Sequence, residues 1–428
     1  MRNRVVNLCW LMAEQGIKLL SGLFISVLVI KHLGAEGYGI LSLSIAVLAL
    51  LGTIVELGMK PILLKLFISD DKHVNELIET SCYLRLVVSI FLIIIFSILN
   101  LFFSDSIFSV LNILVLGFIF DSFLSFKEYF EARLINKYYT LSTFLSLILN
   151  FIACYMLIWL EQPVVFFAIP YVMAKFIQCV SLYYSYYQLN KRIIVPKINK
   201  VIAKRLIKMS YPMLLASSIG LIYSLQDLFF IKYYLGDVEV GIYSVGIKFI
   251  TILMVLPMVI SSVFYPSLVK KYSNDKSIYF AQLESIYLLF FILGISLYLV
   301  MYFSADLIIG FLFNDDFVES IQVMKIYSFL LLLSFFQSIN NKILVLNNLQ
   351  HHIFKRCILS LVINGILNVI LIPKYGIIGA AYSTVISEIF VVLSYAFMAE
   401  TRFIFINQVK AALLVNLFKS DLVKNLKS

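Results

Sequence analysis

Leu33-Gly34-Ala35-Glu36-Gly37-Tyr38-Gly39-Ile40-Leu41-Ser42-Leu43-Ser44-Ile45 returns 202 residues later as Leu235-Gly236-Asp237-Val238-Glu239-Val240-Gly241-Ile242-Tyr243-Ser244-Val245-Gly246-Ile247. Leu, Gly, Gly, Ile, Ser and Ile fall in register. A second phrase, Leu145-Ser146-Leu147-x-x-Asn150-x-Ile152, recurs 214 residues on as Leu359-Ser360-Leu361-x-x-Asn364-x-Ile366. Two matches in the same order, with a 12-residue insertion between them, mark a duplicated chain. Each copy contains six apolar stretches, roughly 7–30, 37–57, 80–100, 106–126, 140–160 and 163–187, then 210–231, 240–264, 280–303, 320–346, 353–372 and 376–399.

Each stretch is close to the ~20 residues that a helix needs to cross a bilayer. The short alternating segments of a membrane barrel are absent, so the expected fold class is an all-α polytopic membrane protein of about twelve transmembrane helices. Six passes per copy is an even number, so both copies enter from the same side. That predicts two six-helix bundles related by a parallel internal repeat around a central cleft. Gly16, Ser21 and Gly22 in the first stretch, and Ser217, Ser218 and Gly220 in the seventh, are small enough for helices to approach closely.

Charge fixes the expected orientation. Of the 34 Lys and Arg residues, 26 lie in or at the borders of the even-numbered gaps and in the termini. The odd-numbered gaps hold only Lys31, Lys232 and Lys374. Basic residues near span ends stay in the cytoplasm, so both termini are expected there. The +10 net charge is then an inside-loop and anionic-lipid signature rather than a nucleic-acid footprint. With 62% apolar and 14% charged residues, the chain is no ordinary soluble domain. The first stretch carries Glu14 and Lys18 and is followed by no small-residue cleavage site, so it is expected to remain as a span.

The domain reading is an N-terminal bundle over 1–188, a basic cytoplasmic linker over 189–208, a C-terminal bundle over 209–400 and an amphipathic cytoplasmic tail over 401–428. The linker carries Lys191, Arg192, Lys197, Lys200, Lys204, Arg205 and Lys208 with no acid. In the tail, Leu414, Phe418 and Leu422 recur every four residues among lysines, a pattern that suits the inner surface of the membrane. Cys9, Cys82, Cys154, Cys179 and Cys357 form no C-x-x-C pair and read as buried thiols. His351-His352 lacks partner ligands in the sequence, and Asp70-Asp71 and Asp315-Asp316 read as solvated loop acids. No metal site and no cofactor is expected.

Ionisable groups inside spans are expensive, about 2.5–3.5 kcal/mol each at mid-helix, so they carry the functional information. The deepest cations are Lys18, Lys175 and Lys248. Arg85 and Lys325 lie near span ends, where they could snorkel. The acids are Glu14, Asp227 and Glu388, with Glu56 and Asp121 near inner ends. Glu14 and Lys18, spaced i,i+4, can pair. Lys18, Lys175 and Lys248 lie on three helices from both halves with too few deep acids to neutralise all of them, which suits an anionic substrate. Scattered pairing with Asp227, Glu388 and backbone carbonyls is the other reading. Asp227 and Glu388, with Glu14, are the candidates for ion coupling or cation pairing.

Leu33-Gly34-Ala35-Glu36-Gly37-Tyr38-Gly39, Tyr211-Pro212, Gly241-Ile242-Tyr243-Ser244 and Pro373-Lys374-Tyr375-Gly376-Ile377-Ile378-Gly379-Ala380-Ala381 occur in an order and spacing that resembles one family. The chain resembles the Wzx-type O-antigen and capsule repeat-unit flippases of the multidrug/oligosaccharidyl-lipid/polysaccharide exporter superfamily, over about residues 1–400. The resemblance implies an inner-membrane, multi-pass protein that moves an undecaprenyl-pyrophosphate-linked oligosaccharide to the periplasmic leaflet by alternating access. It also implies a cation-lined cavity, for which Lys18, Lys175 and Lys248 are the matching residues, with Arg85 at the mouth. Membrane lipids and the lipid-linked oligosaccharide are the implied partners, with a polysaccharide polymerase and a chain-length regulator as candidate protein partners; nucleic acid is not one. Cell-wall-precursor relatives usually have fourteen spans, and twelve argue against that branch. A cation-coupled multidrug exporter of the same superfamily is the alternative, kept open by Asp227 and Glu388. An enzyme is not expected, because no large outside loop or catalytic domain is present and no Walker-type phosphate loop occurs.

Overall fold

A computed structural model of the chain describes residues 2–69, 73–103, 105–274 and 276–413, without the side chains of 2–9, 11–13, 20, 273 and 274. Among the described residues the structure is helical: α1 (Arg2–Glu56), α2 (Lys60–Ser69), α3 (Val74–Phe102), α4 (Ser106–Val115), α5 (Phe118–Asp121), α6 (Ser125–Ala132), α7 (Lys137–Trp159) and α8 (Ala168–Asn190). They continue as α9 (Lys200–Tyr234), α10 (Asp237–Leu253), α11 (Val255–Asn274), α12 (Lys276–Leu312), α13 (Glu319–Tyr327), α14 (Phe329–Leu346), α15 (His351–Phe397) and α16 (Arg402–Ala412).

Nine stretches of helix among these residues are long and apolar enough to cross a membrane. Ser106–Asp121 with Ser125–Ala132, bent by 45° at their junction, make a tenth. Two of the ten are far too long for one pass. The 47 residues of α15, run straight, would extend ~70 Å against ~30 Å of hydrocarbon. Gly376 breaks α15 at φ +60°, and Gly34 breaks α1 at φ +66°. These are left-handed conformations that cost glycine almost nothing. Each break divides its helix into two segments, and counting every segment as a pass brings the ten to twelve, the number in the hydropathy pattern. Gly236, the repeat partner of Gly34, also has positive φ, +108°, and opens α10. The repeated Leu-Gly phrase is therefore a turn signal used at the same point of both copies.

The chain divides into two compact units, Met1–Leu225 and Gln226–Ser428, with the boundary inside α9. In the first unit, Met59, Leu63, Phe67, Ile78, Phe126, Phe130 and Tyr186 pack into one core. The extended segment 191–199 after α8 is tied to α3: Arg192 Nη2 reaches Glu79 Oε1 at 3.3 Å and Asn199 Nδ2 donates to Glu76 Oε2 at 3.0 Å. One of the linker's cations, Arg192, thus finds its acid on another helix. In the second unit Leu283, Ile286, Tyr287, Phe290, Phe335, Phe336 and Ile339 form the core, joined by Ile404 and Ala411 of α16. Leu101, Phe303 and Phe311 stay exposed, as helix faces in contact with lipid require.

Cys82, Cys154, Cys179 and Cys357 are free thiols. The side chain of Cys9, the pair Asp70-Asp71 and the tail residues Leu414, Phe418 and Leu422 lie outside what is described.

Candidate functional site

The first unit sets its cations against acids. On α1, Lys18 Nζ lies 2.6 Å from Glu14 Oε1, the i,i+4 pair that the spacing predicted. Lys18 also donates to Tyr139 Oη on α7 at 3.0 Å. Lys127 on α6 brings its Nζ to 4.5 Å from the centre of the same ring. Two ammonium groups therefore meet on one phenol. Glu14 holds Lys18, and Glu131, one turn beyond Lys127, lies 3.7 Å from Lys60, so three cations here stand against two carboxylates. Lys18 keeps 35% of its side-chain surface accessible, while Glu14 keeps 3%, so the cation is the available partner.

Lys175 on α8 pairs with Asp121 at the end of α5, and its Nζ stands 5.3 Å from the Tyr171 ring centre. Gly117 makes room for the lysine stem: a Cβ there would meet Lys175 Cδ at 3.0 Å. Arg85 on α3 donates to Glu128 Oε1 at 2.7 Å and to Ser125 Oγ at 3.2 Å. Expected to snorkel, Arg85 instead has no exposed surface. The acid and hydroxyl on α6 hold it inside the unit, at lower cost than an unpaired buried charge. Pairing in this unit is more complete than counting deep acids implied, because Asp121 and Glu128 sit on short helices that bring them to depth.

In the second unit the two acids singled out in the sequence, Asp227 and Glu388, are held by neutral donors, whereas Lys325, read as near a span end, pairs with Asp306 at 2.6 Å. Asp227 on α9, 7% exposed, accepts from Tyr243 Oη at 2.8 Å, from Asn368 Nδ2 at 2.6 Å and from Thr384 Oγ1. Asn364 ties the group together, donating to Thr384 Oγ1 at 3.1 Å while its Oδ1 accepts from Asn368 and Gln226. No Lys or Arg among the described residues lies within salt-bridge reach of Asp227. Asn368 Oδ1 is buried without a hydrogen-bond partner. A carboxylate, two amide oxygens and a hydroxyl in one dry cluster form a donor set suited to a hard cation or a proton. Glu388 on α15 accepts from Gln337 and from Ser360 Oγ, the latter at 3.3 Å. Lys248, partly buried on α10, lies one and a half turns beyond Tyr243.

Folding also supplies a third ligand to the histidine pair that had none in sequence. His352 Nε2 lies 2.9 Å from Glu400 Oε2, and the ligand atoms of His351, His352 and Glu400 all fall within 4.8 Å of one another. Lys355 and Arg356 on the next turn add positive charge that opposes a metal cation there. Lys127, Tyr139 and Asn368 were not singled out by sequence reasoning. Asn364 and Asn368, amides at i,i+4 inside an apolar span, were the one available signal. Nothing local marked Lys127 or Tyr139, which sit in a short basic gap.

Residues 5–272 match the family described as "Polysaccharide biosynthesis protein". The capsular polysaccharide biosynthesis protein CapF of Staphylococcus aureus is 24% identical over 202 residues, 47% of this chain and 51% of CapF. The chain thus spans about half the length of that curated relative. Among solved structures, the lipid II flippase MurJ in an inward closed conformation superposes with TM-score 0.72 at 16% identity, covering 98% of this chain and 96% of MurJ. The eukaryotic MATE transporter AtDTX14 superposes with TM-score 0.56 at 13% identity, covering 99% of both chains. At these identities the likeness shows the fold alone. The family match covers well over half of the sequence, and the chain belongs to the polysaccharide biosynthesis protein family.

Proposed function

We propose that this multi-pass membrane protein is a flippase. It moves an undecaprenyl-pyrophosphate-linked oligosaccharide from the cytoplasmic to the periplasmic leaflet of the bacterial inner membrane, for O-antigen or capsule synthesis. The observation that carries the reading is the cationic excess at Lys18 and Lys127 around Tyr139, inside the unit that falls within the family match. A sugar headgroup cannot cross hydrocarbon unaided, since each unsatisfied hydroxyl costs several kcal/mol. Fixed ammonium and phenol groups replace water for the diphosphate and the hydroxyls while the prenyl tail stays in lipid. Lys18, Lys127 and Lys175 are assigned to the anionic headgroup in the first unit, and Lys248 in the second. Arg85 holds α3 against α6 behind them. Outward movement of each negative charge gains roughly 2.3 kcal/mol per 100 mV, so transport needs no ATP. Both termini face the cytoplasm, and the partners are the lipid-linked substrate and the enzymes that polymerise and size the chain.

The test is translocation of an undecaprenyl-pyrophosphate oligosaccharide in proteoliposomes. Lys18→Ala and Lys127→Ala are expected to weaken headgroup binding by about 1.5–3 kcal/mol each, the worth of a charge-assisted hydrogen bond. Lys175→Ala and Lys248→Ala lower transport as well. A folded wild type that moves no lipid and extrudes cationic dyes instead would move the chain to a second reading. That reading, a cation-coupled multidrug exporter, is favoured by one observation, the buried acid Asp227 held without a countercation among the described residues.

A further inference from the structure

We infer that the end of α15 assigned by the charge pattern to the cytoplasm holds a phosphoryl anion on Arg356. The residue is 6% exposed, yet neither Nη1 nor Nη2 has a hydrogen-bond partner. Its position is fixed from two other directions. The guanidinium carbon lies 3.3 Å from the centre of the Tyr395 ring, and Nε donates to Ser394 Oγ at 3.2 Å. Arginine cannot shed its proton, so a positive fork is held against the Tyr395 phenol with no carboxylate at salt-bridge distance among the described residues.

The acids of this end are engaged elsewhere. Glu400 is held by His352, Glu388 by Gln337 and Ser360, and Glu284 by Lys410 at 2.6 Å. The surroundings add more unmet polar groups. Asn340, fully buried, takes a hydrogen bond from Tyr287 Oη at 2.6 Å on its oxygen, while its Nδ2 has no partner; His352 Nδ1 has none either. His351 and Lys355 stand exposed on the neighbouring turn. A buried guanidinium in this state is costly unless an anion meets it. Its two terminal nitrogens form a planar fork that matches two oxygens of one phosphoryl group. Phosphates are the anions that a bilayer places at the end of a span.

The test uses the full chain in a maltoside detergent, which carries no phosphate, and follows thermal unfolding. Three probes are added separately: phosphatidylglycerol, inorganic pyrophosphate, and diacylglycerol, which has the chains without the phosphate. The wild type is expected to gain several degrees from phosphatidylglycerol, from pyrophosphate or from both, and not from diacylglycerol. A gain from phosphatidylglycerol alone makes the source a lipid headgroup; a gain from pyrophosphate admits a free phosphoryl compound. In R356M the gain is lost, and without any probe the variant is at least as stable as wild type because an unpaired buried charge has gone. R192Q, on the exposed segment of the other unit, keeps the full gain. Should R356M not fold, R356K serves, since it retains the charge, loses the fork and should show a smaller gain. Equal gains in wild type and in the Arg356 variants, no gain from either phosphate probe, or an equal gain from diacylglycerol would overturn the inference.

Discussion

The two units share a repeat and hold their deep acids in different ways. In the first, Lys18, Lys175 and Arg85 each meet a carboxylate, at Glu14, Asp121 and Glu128. In the second, Asp227 is held by a phenol, an amide and a hydroxyl. At the repeat offset of 202, Lys18 corresponds to Gly220, Glu14 to Ala216 and Asp227 to Ile25, so none of these charges was copied. What recurs is the turn, at Gly34 and Gly236, together with the pairs Ser146/Ser360 and Asn150/Asn364, of which Ser360 donates to Glu388 and Asn364 joins the Asp227 cluster. The repeat therefore keeps the turn and some of the buried polar side chains, while the deep charged positions differ. A salt bridge tolerates one geometry of strong attraction, whereas a carboxylate among neutral donors can exchange a hydrogen bond for a bound cation.

The largest expected effect breaks the first unit's side of this contrast. Glu128→Ala strands Arg85 at zero exposure and should cost about 3–5 kcal/mol, read as thermal unfolding. The double change Arg85→Met with Glu128→Leu should recover most of it. If the single change were neutral, pairing would not be what keeps Arg85 buried.

Asp227→Asn addresses the second unit. Shape is kept and charge removed, so the fold should persist. Under the flippase reading lipid translocation should survive, whereas under the exporter reading the dependence of transport on a sodium or proton gradient should fall by roughly 5–150-fold, the usual span of a coupling energy. Headgroup affinity should not change. Loss of headgroup affinity would instead place Asp227 in the headgroup site.

Gly246 sharpens the contrast at one repeat position. Its counterpart is Ser44, fully buried with its hydroxyl donating to Ile40 O at 2.7 Å. A Cβ at Gly246 would lie 2.8 Å from Val323 Cβ and 2.9 Å from Ser320 O. Gly246→Ala should therefore destabilise by about 1–3 kcal/mol through overpacking of α10 on α13, and Ser44→Ala should cost less in the same unfolding assay.

The smallest effect is expected at Arg192→Ala. This ion pair with Glu79 is half exposed on the arginine side, at 52%, so its loss should cost about 0–1 kcal/mol and vanish at high salt.

Spans were legible because hydrocarbon imposes one requirement on every residue in them, and twenty apolar residues state it locally. The breaks at Gly34 and Gly376 were legible for a related reason: two passes cannot be one helix. Partners were not. Glu128 lies 43 positions from Arg85, and Asp227 lies 141 and 157 positions from Asn368 and Thr384. No periodicity encodes such distances.

The sequence by itself determined a helical membrane protein made of two copies, the sites of its turns and the residues whose burial had to be accounted for. Only the tertiary structure decided how each was accounted for: that Arg85 is sealed in rather than snorkelling, that Lys127 joins Lys18 at Tyr139, and that Arg356 is buried with its fork unmet. The physical reason is range. Transfer into lipid is a property of a residue and its neighbours in the chain, whereas neutralising a charge needs a particular atom within about 3 Å, and folding alone brings that atom there.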